Sequence, residues 1–258
     1  MTVKPGASIV VFALERGRSI MDDHDKVMEV MRLKDQAPLS INPDKTALLV
    51  IDAQRYFVSP DYPFGRVFER LVPGSTRGYF ERVNNTVLPN IKRLQDHFRS
   101  RGLPIFYTAT GTCTGDGRDL PGWLKEFDQM GMAVLGERIW PWIGDPSWKI
   151  DDAVAPLPGE VVLSKTSSGP LNSTRLDQTL RNIGIDSLVV TGLTTDVCVT
   201  QTARETADRG FQVIIAEDAC TTLSAKMHAA ALQCFSIAFG RVRSTEEVVR
   251  LLSAASAA

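Results

Sequence analysis

Three side chains able to do covalent chemistry together stand at equivalent points of this sequence. Asp52 ends the apolar run Ala47-Leu48-Leu49-Val50-Ile51, Lys165 ends Val161-Val162-Leu163-Ser164, and Cys198 follows Leu188-Val189-Val190-Thr191-Gly192 after a short polar turn. Thr195 or Asp196 is placed to N-cap the helix after that turn, which puts Cys198 in its first turn. Unpaired N–H groups and the positive end of the helix dipole there favour a thiolate, the reactive form of cysteine. Taken singly, each residue has an ordinary reading: a small buried hydrophobe, a turn-capping carboxylate, a solvated lysine. Their coincidence at three strand ends is what points to a site.

The elements that position them follow from periodicity. Apolar runs at 47–52, 105–107, 161–165, 188–192 and 211–215 read as buried strands. Helical spacing fills about 79–100, 174–183, 196–209, 224–236 and 245–253, and Ser244 and Glu247 form a capping box for the last. Continuously apolar strands alternating with helices predict an α/β fold, a three-layer sandwich with a mostly parallel central sheet, because right-handed crossovers lay helices over both faces. In open sheets of this kind ligands bind beyond the carboxyl ends of the strands, where Asp52, Lys165 and Cys198 all fall. The segment 111–158, with Trp123, Trp140, Trp142 and Trp148 among Gly and Pro, is expected to overhang that edge as a lid.

Residues 1–43 read as an N-terminal arm and 44–258 as one catalytic domain. The arm carries a strand-like run at 9–14 and a helical stretch from Asp22 to Lys34, too little to build its own core, so it is expected to cover a surface in a homo-oligomer or on the chain itself.

Composition excludes several classes. A net charge of −1 without a long Lys/Arg run gives no footprint for nucleic acid or an anionic membrane. Six apolar residues at 9–14 are too few to span a bilayer, and the charges that follow do not suit a signal peptide. Cysteines 113, 198, 220 and 234 form no C-x-x-C pair, which fits a reducing cytoplasm, and Cys113, Cys220 and Cys234 have no chemical company. His24, His97 and His228 make no metal motif and fall in predicted helices away from the strand ends. A G-x-G-x-x-G and a Walker loop are both missing, so no metal and no cofactor is expected and the partner is a small molecule.

At these residues the sequence resembles the isochorismatase-like cysteine hydrolases, a group that includes N-carbamoylsarcosine amidohydrolase, nicotinamidase, biuret hydrolase and ureidoacrylate amidohydrolase. The likeness runs from about residue 44 to 250. It rests on D-x-Q-x-x-F at Asp52, Gln54 and Phe57, on Lys165, on G-x-x-T-x-x-C-V at Gly192, Thr195, Cys198 and Val199, and on Ala203, Gly210, Asp218 and Ala219. The resemblance implies the isochorismatase-like fold and a catalytic triad of Asp52, Lys165 and Cys198. In that triad Asp52 takes the thiol proton and Lys165 holds thiolate and carboxylate together. It further implies an oxyanion hole from the main-chain N–H groups of Thr194 and Cys198, with a cis peptide joining Leu193 to Thr194. Gln54, Phe57, Ser168 and Thr195 are expected to meet the substrate.

The implied activity is hydrolysis of a small amide or ureide, biuret-like or N-carbamoyl, through a thioester. Residues 53–75 hold no histidine, unlike nicotinamidases, which ligate a metal there. Where the family carries an aromatic after the lysine this chain has Leu171, and Ser167-Ser168-Gly169-Pro170 is its own variant. Two alternatives stay open: a vinyl ether hydrolase of the isochorismatase type, which needs no cysteine, and a non-catalytic thiol or interaction protein on the same fold.

Overall fold

The computed structural model describes residues 23–37, 39 and 41–254; the apolar run at 9–14 and Asp22 lie outside them. Six strands, β1 Thr46–Ile51, β2 Ile105–Thr110, β3 Val161–Lys165, β4 Ser187–Leu193, β5 Gln212–Thr221 and β6 Arg241–Arg243, form one sheet in the order β3-β2-β1-β4-β5-β6. Every pairing is parallel. The chain winds outward from β1 in one direction and from β4 in the other, so the crevice between β1 and β4 is the topological switch point at which such sheets bind ligands.

Around the sheet lie α1 Asp23–Gln36, α2 Pro63–Leu71, α3 Arg77–Arg82, α4 Leu88–Ser100, α5 Gly122–Leu135, α6 Leu176–Asn182, α7 Thr200–Asp208, α8 Ala225–Ala238 and α9 Thr245–Ala254. Period-2 alternation divides β1 between two cores. Leu48 and Val50 pack with Tyr79, Ile91, Phe98 and Leu252 of α3, α4 and α9, while Ala47, Leu49 and Ile51 pack with Leu176, Ala203 and Phe235 of α6, α7 and α8. The three layers expected from the sequence are therefore present. The capping box forms too: the Ser244 N–H donates to Glu247 Oε2 and the Glu247 N–H to Ser244 Oγ.

The predicted helix at 79–100 is interrupted by a π turn, Val83–Val87, just before Pro89. Proline lacks the N–H of an α ladder and its ring crowds the carbonyl four residues back, so the ladder widens there. Strand β3 is an edge and half-exposed rather than buried on both faces. Strand β6 and helices α2 and α5 were not evident in the periodicity.

Helix α1, the described part of the arm, docks on its own chain. Lys34 Nζ donates to the carbonyls of Ser236 and Gly240, and Asp35 pairs with Arg243 at 2.9 Å while its Oδ1 accepts the Val242 N–H. No helix among the described residues is long and apolar enough to cross a membrane.

Candidate active site

The close approach of β1 and β4 begins the site. Gly192 sits at φ +112° with its Cα so near β1 that a Cβ would lie 1.9 Å from the Ile51 carbonyl oxygen, so only glycine fits. Directly after β1, Asp52 adopts φ +48°, which among the described residues no other non-glycine position shares. Left-handed backbone at a carboxylate costs about 1–3 kcal/mol and persists where the surroundings hold it, typically at functional positions. Here it aims the Asp52 side chain along the sheet edge toward β2 and β3.

Every oxygen of that carboxylate is engaged. Thr108 Oγ1 donates to Oδ1 at 2.7 Å, Thr110 Oγ1 donates to Oδ2 at 2.8 Å, and Lys165 Nζ lies 2.8 Å from Oδ2. Lys165 arrives because Thr110 of β2 is in register with it on β3. Its ammonium also donates to Thr110 Oγ1, to the Ser167 carbonyl at 2.9 Å and to Cys198 Sγ at 3.5 Å. Asp52 and Lys165 side chains are wholly buried and Cys198 is 6% exposed. The structure thus brings together the three residues that the sequence placed at separate strand ends.

Electrostatics depart from the sequence expectation at one point. Burial, the largest influence, pushes the Cys198 thiol up to about 12; Lys165 pulls it down, but Asp52 opposes that. The resting group is a thiol rather than the thiolate that the helix dipole alone would favour. Burial also presses on Lys165, yet the charges of Asp52 and Cys198 and their hydrogen bonds outweigh it and leave the ammonium above its ordinary value. A protonated lysine between a carboxylate and a thiol, with the carboxylate near enough to receive the thiol proton, is a general-base arrangement.

The turn carrying Cys198 is a π turn, Thr195–Val199, continuing into α7. Thr194, not Thr195 or Asp196, is its N-cap, and it uses no side-chain bond. Its carbonyl accepts the N–H groups of both Val197 and Val199. The Leu193–Thr194 peptide is cis.

Above Cys198 opens a cavity of about 210 Å³. Thr194 and Cys198 border it, as do Phe57 and Ser168. Gln54 and Thr195 do not. The Gln54 amide is spent on the Thr110 and Trp148 carbonyls and the Thr110 N–H, stitching the end of β2 to the loop before Ile150. Thr195 is fully buried and its Oγ1 meets His228 Nδ1 at 2.8 Å. His228 is therefore closer to the cysteine turn than its predicted helix suggested; burial, then Arg82, lower its pKa, and it does not line the cavity.

The lid expected from the tryptophan-rich segment is built by α5, which supplies Trp123, Leu124 and Phe127, and by Trp140, whose Nε1 donates to the Leu124 carbonyl. Trp142 and Trp148 lie outside the cavity. Sequence reasoning missed Thr108 and Thr110, although two hydroxyls at alternate positions of an otherwise apolar strand end are a readable signal. It also missed Asp196 as a cavity residue. Of the other cysteines, Cys220 is buried, and Cys113 and Cys234 are exposed.

Comparison with known proteins gives the family and the fold. Residues 46–247 match the family model described as the isochorismatase domain. The chain is 29% identical to N-carbamoylsarcosine amidase of an Arthrobacter species over 82% of its own length and 72% of the relative's. It is likewise 29% identical to a ureidoacrylate amidohydrolase of Methylobacterium radiotolerans, over 80% and 78% of the two chains. Among solved structures, a cysteine hydrolase from Pseudomonas syringae pv. phaseolicola superposes with a TM-score of 0.69 at 25% identity, covering 84% of this chain and 97% of that one.

Proposed function

The chain belongs to the isochorismatase family, and from that premise we propose that it is a cysteine-dependent amidohydrolase cleaving the C–N bond of a small amide or ureide through a thioester on Cys198. The observation that carries the reading is the buried cluster in which Lys165 Nζ touches both Asp52 Oδ2, at 2.8 Å, and Cys198 Sγ, at 3.5 Å, beneath the cavity. Relatives named as amidases of carbamoyl and ureido compounds support the same bond class.

In this mechanism the substrate carbonyl sits over Cys198. As Sγ attacks, its proton passes to Asp52, and Lys165 stabilises the thiolate character that develops. A neutral resting thiol makes that transfer necessary, which is why a carboxylate must stand beside it. The tetrahedral oxyanion is held by the main-chain N–H groups of Thr194 and Cys198; in other enzymes loss of one such donor costs about 2.7–4 kcal/mol of transition-state stabilisation. Asp52 then protonates the leaving nitrogen, the C–N bond breaks, and ammonia or an amine departs. Water, deprotonated by Asp52, hydrolyses the thioester and returns the thiol.

Phe57 and Ser168 contact the substrate, whereas Gln54 and Thr195 position the walls through their own buried hydrogen bonds. Biuret-like and N-carbamoyl ureides lead the substrate panel, and the enzyme is placed in the cytoplasm, where a thiol stays reduced. The test is ammonia release over a panel of linear amides and ureides, with rapid quench and mass spectrometry of the protein. Wild type should gain an acyl mass on Cys198 during turnover and Cys198→Ala should neither gain it nor release ammonia. Substantial ammonia release by Cys198→Ala would refute covalent catalysis, and no release by wild type from any amide or ureide of the panel would favour vinyl ether hydrolysis on this fold.

A further inference from the structure

The walls of the cavity carry more information than its floor. Phe57, Phe64, Trp123, Phe127 and Trp140 present aromatic surface to it, and among the described residues that line it the one ionisable group besides the Cys198 thiol is Asp196. Lysine, arginine and histidine are missing from that lining. The charge of Lys165 is taken up by Asp52 beneath the floor, and Arg82 lies in a separate cleft across Thr222 and Leu223, which border both spaces. Asp196 Oδ1 is buried and has no hydrogen-bond partner among the described residues. A buried acceptor left unmatched is costly, the more so when charged, so a group that supplies the missing donor on arrival relieves that cost.

Aromatic faces and a lone carboxylate form a surface that attracts cations and N–H donors and repels anions. Asp196 stands two residues before Cys198 on the same π turn and lines the same cavity, within reach of a substrate whose carbonyl sits over the cysteine. We propose that Asp196 reads the far end of the substrate and selects amides bearing an ammonium or N–H donor there over amides bearing a carboxylate. This selection rests on the amidase reading above, and the terminal amino group of a neutral ureide satisfies it as well as an ammonium does.

Three amides of nearly equal length separate the possibilities: 4-aminobutyramide, butyramide and succinamate, which present an ammonium, a methyl and a carboxylate at the far end. The readout is kcat/KM for ammonia release. Wild type should prefer the ammonium over the carboxylate by roughly tenfold or more, the discrimination that one close like-charge contact imposes. In Asp196→Asn that ratio should collapse to within about threefold, and Asp196→Glu should retain the wild-type order. A ratio is immune to a general loss of folded enzyme, and a purely structural Asp196 would leave it unchanged. Equal use of the ammonium and carboxylate amides by wild type, or an unchanged ratio in Asp196→Asn, overturns the assignment. Failure of all three, together with every amide and ureide of the wider panel, overturns the amidase reading itself.

Discussion

The protonation state of Cys198 can be read from stability rather than from activity. In the fold the thiol is held up to about 12, against an ordinary value of 9.0 for an exposed one. Between those values the unfolded chain has released a proton that the fold still holds, so stability falls as pH rises. At pH 10 one such group costs about RT ln(1 + 10), or about 1.4 kcal/mol, relative to pH 7. Other ionisable groups contribute to the pH dependence as well, but Cys198→Ala leaves them in place. Urea unfolding of both proteins under reducing conditions at pH 7 and pH 10 therefore isolates the one thiol: wild type should lose about 1.4 kcal/mol more than Cys198→Ala. The range stops below the ordinary 10.5 of Lys165, whose raised value adds stability that fades only at higher pH. The thiolate's ultraviolet absorbance, taken as the difference between the two folded proteins, should stay flat to pH 10. An equal loss in both proteins would mean that the fold does not raise this thiol, and a smaller loss in wild type than in Cys198→Ala, or thiolate absorbance already present at pH 7, would mean a resting thiolate–ammonium pair and would remove the need for Asp52 to accept the first proton.

Lys165→Ala should slow iodoacetamide alkylation of Cys198 by about tenfold or more, measured with Cys113 and Cys234 changed to serine, because the ammonium is what lowers this thiol. Thr110→Val, nearly isosteric, should cut kcat while leaving the cavity intact, because it removes the hydroxyl that ties Asp52 to Lys165; stopped-flow and thermal melts separate the two effects, and a loss of about 2–4 kcal/mol is expected. Activity should survive dialysis against EDTA, as residues 53–75 lack histidine ligands; restoration by added Zn²⁺, Mn²⁺ or Fe²⁺ after a loss would reveal a metal site. Deleting residues 1–38 should lower the thermal midpoint by uncovering α8 and β6, and a smaller particle by light scattering would assign the arm to a homo-oligomer interface as well.

What was legible in the sequence is what local pattern controls. Apolar runs marked five of six strands, and each reactive side chain lay at the end of one, so the parallel-sheet rule placed them on one edge before any contact was known. Strand β6 escaped because Arg241-Val242-Arg243 has no apolar run; it is a strand only because β5 is beside it. Gln54 and Thr195 enter as substrate contacts through the motifs that carry the family resemblance, and a motif match does not tell which way a side chain turns. Their partners, Trp148 and His228, are distant in sequence, and only the fold supplies them. The thiol's charge state was misread for a related reason. The helix dipole is a local property, whereas the burial that outweighs it comes from both cores closing over the switch point.

That burial also makes the site costly to disrupt rather than merely charged. An ion pair with both partners at 0% exposure gains little net stability, since desolvation offsets most of the attraction, yet removing one partner typically costs about 3–5 kcal/mol. The pair is tolerable here because Thr108 and Thr110 satisfy the carboxylate's remaining lone pairs and the Ser167 carbonyl accepts from the ammonium. Each of these groups comes from β2, from β3 or from the turn just after β3, the half of the sheet on the far side of β1 from Cys198. The nucleophile and its base are thus carried by opposite windings of the chain, and the crevice between β1 and β4 is where the two must meet. Any change that shears β1 against β4, such as a side chain at Gly192, should separate Asp52 from Cys198 while leaving each strand intact. A Gly192→Ala variant should accordingly lose turnover more steeply than it loses helix and sheet content by circular dichroism, and matched losses would mean that the strand contact serves stability alone.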